Sequence, residues 1–313
     1  MPTHLMKTST VSQPGQHRGS GPGLLGKFKT GLKLSKNSLG VVREHPKLLV
    51  FPLFAALATL GFWIVFLVPL WIAGLFGSGV EIVVLFFLYF LTTFTATFFT
   101  ASLVFAINQT FHGEEPLLGE SMRAAWRRKG PILVWSAAAA TVSLILKKVE
   151  ESNNPLAGVL SSLFALGWTV LTFFIVPVIV FEDVTAKSMF VRSGQTFRDT
   201  WGESIGAGFG IAIIQIGLAL VGLVIAILLA LLIAAVFPMA GIVIGIFLVA
   251  GALVCTYLIG QMIWAVTKTA LYVYAAEEFV PEQFANFDFE TLDGRAAHTA
   301  TPGKIDAPQR HLE

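Results

Sequence analysis

Residues 204–267, SIGAGFGIAIIQIGLALVGLVIAILLALLIAAVFPMAGIVIGIFLVAGALVCTYLIGQMIWAVT, contain no Asp, Glu, Lys, Arg or His. One membrane crossing needs about 20 apolar residues, so this stretch holds more than one helix. It divides into crossings at 205–236 and 241–266. Working outward, comparable blocks lie at 48–76, 82–107, 131–146 and 156–181. Backbone amides inside hydrocarbon need partners within their own segment, which makes these blocks helices. The expected fold is therefore an all-α, polytopic transmembrane bundle of about six crossings. The third block is the shortest, spanning about 24 Å against a core of about 30 Å, and Lys147 and Lys148 can snorkel to make up the difference.

Composition agrees: 55% of the 313 residues are hydrophobic and 13% charged, whereas a soluble domain carries about a quarter charged residues. A net charge of +2 is too mild for a nucleic-acid partner. Cys255 is the single cysteine, so no intrachain disulfide forms and no second thiol is present for redox or metal chemistry. Residues 1–23 are rich in Ser, Gly, Pro, Thr and Gln and read as a disordered arm, with the first apolar block too far in for a cleavable signal peptide. Residues 24–47 read as a basic interfacial segment, 48–276 as the membrane domain, and 277–313 as a tail that is mostly disordered.

Orientation follows from the basic residues. Of the 21 Lys and Arg, only Lys147 and Lys148 fall in a loop of the first, third or fifth connection. The others flank the opposite ends, which places both termini in the cytoplasm of a cell-membrane protein. The short outer loops pair the crossings into three hairpins. Each hairpin is preceded by a segment able to lie on the membrane (24–43, 117–129 and 185–201), and each ends in an acidic pair: Glu114-Glu115, Glu182-Asp183 or Glu277-Glu278. Aligning Glu115 with Glu182 brings Ser121-Met122 onto Ser188-Met189, which raises an internal repeat as one reading and coincidence as the other. In the first segment Leu25, Phe28, Leu32, Leu39 and Val42 share a helical face, Leu34 points away, and Ser35 interrupts the stripe. Lys29, Lys33, Lys36 and Arg43, with Arg127, Arg128 and Lys129 of the second segment, are the candidate contacts to anionic lipid.

Chemistry is sparse. None of the six blocks contains a charged residue or a histidine, so no catalytic, cofactor or metal site is expected, and proton coupling through intramembrane carboxylates is disfavoured. The candidate intramembrane polar contacts are Thr93, Thr97 and Thr100 on one face of the second crossing, with Gln215 and Gln261 on the last two. The threonines can bond back to their own helix, and the glutamines can join helices or meet a substrate. Gly206 with Gly210 and Gly241 with Gly245 allow close helix approach. Pro177 should kink the fourth crossing by removing the partner of the Phe173 carbonyl.

The runs Phe105-Ala-Ile-Asn-Gln-Thr-Phe-His-Gly-Glu-Glu-Pro116, Ala124-Ala-Trp126, Gly167-Trp168 leading to Val176-Pro177-Val178 and Glu182, and Arg192-Ser193 with Thr200-Trp201-Gly202 carry a resemblance. They resemble an uncharacterised prokaryotic six-pass membrane family, a domain of unknown function. More distantly the chain is similar to the membrane domain of some glycerophosphodiester phosphodiesterases. The resemblance implies the six-pass topology and brings no catalytic residues. The phosphodiesterase domain, with its metal-binding carboxylates, is not in this chain.

Two functions fit these observations. The first is a non-catalytic membrane module that binds lipid or a protein partner, or self-associates. The second is a channel or transporter for a neutral or weakly charged solute.

Overall fold

The computed structural model describes residues 24–151, 155–201, 206–236 and 238–289. The described residues form helices and connections, with no strand among them. In chain order the helices are α1 (Leu24–Glu44), α2 (Val50–Ile72), α3 (Val80–Phe111), α4 (Leu118–Arg127), α5 (Lys129–Glu150), α6 (Pro155–Leu171), α7 (Ile175–Phe181), α8 (Ser188–Thr196), α9 (Gly206–Val236) and α10 (Pro238–Glu277).

Among the described residues, five stretches are long and apolar enough to cross a membrane: Pro46–Ile72, Val80–Phe111, Lys129–Glu150, Leu156–Phe181 and Val243–Glu277. The sixth expected block is α9, whose described part includes the apolar run Ala219–Ala235. Helices α2 with α3, α5 with α6–α7, and α9 with α10 pack as three hairpins. The α2–α3 turn lies at one end and α1, α4 and α8 at the other, which we call the base. Helix α5 has 22 residues, about 33 Å at 1.5 Å per residue, so it needs no snorkelling to reach across.

The base, and not the spans, holds the packed core. No more than 28% of any span's most apolar window is buried, whereas Ala101 to Ile107 of α3, Phe174 to Ile179 around α7, Met189 of α8 and Met262 to Val273 of α10 form a cluster with Leu34, Leu48 and Phe51. The division is physical: lipid is as apolar as leucine and gives the spans no hydrophobic reason to bury their sides, while water at the base does. Where spans do touch, small residues allow it. A methyl at Gly245 would sit 2.8 Å from the Ala230 side chain and one at Gly222 2.9 Å from Thr256, so α9 and α10 meet at close range along the hairpin.

Three expectations need correction. Helix α1 forms, but its buried stripe is Gly31, Leu34, Ser35, Ser38, Val41 and Val42, while Leu32 is exposed. The stripe packs on α9 and α10, with the Ser38 hydroxyl 2.8 Å from that of Thr267. Small hydroxyl residues permit that approach, and a hydropathy stripe counts them as polar. The tail is ordered further than expected: Phe284, Phe287 and Phe289 are buried, and Phe284 stands edge-on to Phe111 at 5.9 Å. The arm 1–23 and the tail beyond residue 289 lie outside the described residues. Finally, the fourth crossing is broken rather than bent, between Leu171 and Ile175. Pro177 leaves the Phe173 carbonyl without its usual amide, and the Ser193 hydroxyl of α8 accepts a hydrogen bond of 3.1 Å from the Phe174 amide at the break.

The aligned pairs differ in setting: Ser121 is buried inside α4, bonded to the Leu117 carbonyl at 2.9 Å, whereas Ser188 is exposed and opens α8.

Candidate functional site: a polar groove between the hairpins

Thr93, Thr97 and Thr100 recur at i, i+4 and i+7, which puts them on one face of α3. Tyr257, Gln261, Trp264 and Lys268 do the same on α10, at i, i+4, i+7 and i+11. These two faces line a single groove of about 330 Å³, closed by Pro52 and Ala55 of α2, Trp135 of α5 and Thr172, Phe173 and Ile175 to Pro177 at the broken α6–α7 joint. Its volume falls at the lower end of the range for small-ligand pockets, about 300 to 1,000 Å³. From Thr93 to Val104 the groove extends about 16 Å along α3.

The polar groups are not all committed to the protein. Thr100 donates to the Ala96 carbonyl at 2.7 Å and Thr172 to the Trp168 carbonyl at 2.8 Å. Thr97 instead accepts from Trp135 Nε1 at 3.1 Å, so its own proton has no acceptor among the described residues. The Lys268 ammonium lies 4.7 Å from the Phe173 ring centre and 5.0 Å from that of Trp264, a cation–π arrangement. Among the described residues no carboxylate lies within ion-pair distance of it.

Lys268 is the residue the sequence reading missed. It stands one residue beyond the charge-free stretch, where hydropathy places a flank, but α10 continues to Glu277 and carries its side chain into the groove. The i, i+4, i+7, i+11 recurrence from Tyr257 was the signal available. Of the expected polar contacts, Thr93, Thr97, Thr100 and Gln261 come together here; Gln215 lies on α9 with its side chain outside the described residues.

The basic candidates lie elsewhere. Lys33, Lys36, Arg43, Arg127 and Lys129 are exposed, and Lys129 sits 5.1 Å over the Trp126 ring. Arg128 Nη1 pairs with Asp183 at 2.8 Å. Lys29 lies on α1 with its side chain outside the described residues.

Below the groove a second polar cluster ties the hairpins together. Glu182, at the end of α7, accepts from Arg192 Nε of α8 at 2.8 Å and from the Tyr272 hydroxyl of α10 at 2.6 Å. The hydrogen bond to Glu182 holds the Arg192 guanidinium above its ordinary range. Tyr272 is only 1% exposed, so this carboxylate is the partner its hydroxyl needs.

Residues 79–280 match a family of unknown function, DUF6159. The chain belongs to DUF6159. The matched region of this DUF6159 protein includes both polar faces of the groove and the Glu182 cluster, and leaves out only Pro52 and Ala55 of the lining. No match was found among curated proteins or among solved structures.

Proposed function

We propose that this DUF6159 protein is a non-catalytic, six-crossing module of the cell membrane that takes a membrane lipid into the groove from the side. The observation that carries this reading is where the groove opens and where it ends. Tyr257 is 55% exposed and Gln261 is exposed on the same face, at the level of the apolar spans. Toward the base the helices run into buried residues, Ala106 and Ile107 on α3 and Thr269, Ala270 and Tyr272 on α10. A groove open to hydrocarbon and blind toward water is filled from the bilayer. Among the described residues its lining includes Lys268 and Tyr257 but no carboxylate, histidine or cysteine, which supports binding over catalysis.

The groove is tested with a lipid carrying a photoactivatable acyl chain. Label should appear on residues 93–104 in the native protein, and Ala96→Trp, which fills the groove, should remove most of it. Unchanged labelling in a folded variant would show that lipid lies elsewhere.

The excess of Lys and Arg at the base supports a cytoplasmic base with both termini inside. With Cys255→Ala as background, Ser78→Cys in the α2–α3 turn should react with an impermeant maleimide on intact cells, and Ser188→Cys should be protected. The reverse pattern inverts the topology.

A solute channel or transporter is the second reading, favoured by the convergence of Thr93, Thr97, Thr100 and Gln261 and opposed by the blind base. Solute flux into liposomes that Gln261→Leu abolishes in a folded protein would put it first.

A further inference from the structure

Resting on the lipid-binding reading, we infer that the groove selects an anionic lipid, with the headgroup oxygens against Lys268 and the glycerol-ester region against Gln261 and Thr97. The charge of the lining points one way: among the described residues its one cation is Lys268, and it has no carboxylate. Two aromatic rings at 4.7 and 5.0 Å orient the ammonium but bring no countercharge. A cation drawn away from bulk water, without an anion among the described residues, favours a ligand that supplies one. A headgroup ending in an ammonium would meet no acid on the wall and would face Lys268 as a like charge.

The vertical order of donors matches a lipid seated with its headgroup toward the base. Lys268 lies lowest on α10. Gln261 stands two turns higher, about 10 Å along the axis. Its side chain is exposed and makes no hydrogen bond among the described residues. Across the groove, the Thr97 hydroxyl accepts from Trp135 and keeps its proton to donate. The ester carbonyls of a glycerolipid are acceptors only, and they lie between headgroup and chains. Above Gln261 the lining turns to the Tyr257 ring, a surface suited to the start of an acyl chain. A soluble phosphate ester shares the headgroup chemistry but would leave the upper groove unfilled, and the blind base gives it no path from water.

The test uses the full chain in liposomes with two photoactivatable lipids of identical acyl chains, a phosphatidylglycerol and a phosphatidylcholine. The readout is the ratio of their labels on residues 93–104, so lipid drawn to the exposed Lys33, Lys36 and Arg43 is recovered on other peptides. The native protein should favour phosphatidylglycerol by about fivefold or more. Lys268→Gln should bring the ratio to parity while leaving the phosphatidylcholine label intact, Lys268→Arg should keep the preference, and excess glycerol 3-phosphate should not compete. Strong, equal labelling by both lipids in the native protein overturns charge selection and leaves the lipid groove standing. Absence of label from either lipid removes both readings. A preference that survives Lys268→Gln overturns the role of that residue, and competition by glycerol 3-phosphate overturns the lipid in favour of a soluble ester.

Discussion

Phe284→Ala should lower the unfolding free energy by about 3 to 5 kcal/mol, the usual cost of emptying a filled aromatic site. Phe284 is fully buried, stands edge-on to Phe111 of α3 and lies 6.2 Å from Phe289. Its ring closes the base from the C-terminal side, where α3 and the tail meet. The control is Phe247→Ala on α10, where the ring is 73% exposed and faces the hydrocarbon; that change should stay within about 0.5 kcal/mol. Denaturant titration of both variants in the same detergent measures the contrast. Equal and small effects would mean that the tail is not part of the folded base, and equal large effects would mean that the spans are packed as tightly as the base.

Glu182→Ala should cost about 2 to 3 kcal/mol, by two unequal contributions. The larger is the buried Tyr272 hydroxyl left without a partner, about 1 to 3 kcal/mol. The smaller is the Arg192 pair, worth about 0.2 to 1 kcal/mol because the guanidinium is half exposed and returns to water. Tyr272→Phe removes donor and need together and should cost about 1 to 2 kcal/mol. The double variant should then be little worse than Glu182→Ala alone, because the orphaned hydroxyl is gone. Strictly additive losses would show that the two residues do not act through one hydrogen bond. Since Glu182 ends the helix that follows the broken joint, and Ile175, Val176 and Pro177 of that helix wall the groove, this cluster also holds that wall in place.

The site was half legible. Thr93, Thr97, Thr100 and Gln261 stand out because polar side chains are conspicuous in apolar blocks, and all four line the groove. Lys268 was hidden by the rule that finds spans: a charge ends a hydropathy window, whether or not the helix ends there. The buried face of α1 was hidden likewise, since Ser35 and Ser38 are buried by close helix contact and not by hydrophobicity.

The sequence by itself determined that this is a helical membrane protein, where its long apolar helices run and that they pair as hairpins. Those properties follow from the length of apolar runs and from the requirement that amides be satisfied within each span. Only the tertiary structure decided that the core lies at the base, that the tail's phenylalanines belong to it, and that residues from α2, α3, α5, the α6–α7 joint and α10 enclose one groove. Lipid makes every apolar face of a span equally acceptable, so hydropathy cannot say which faces meet. That choice is made by small residues, a broken helix and a few hydrogen bonds between segments far apart in the chain.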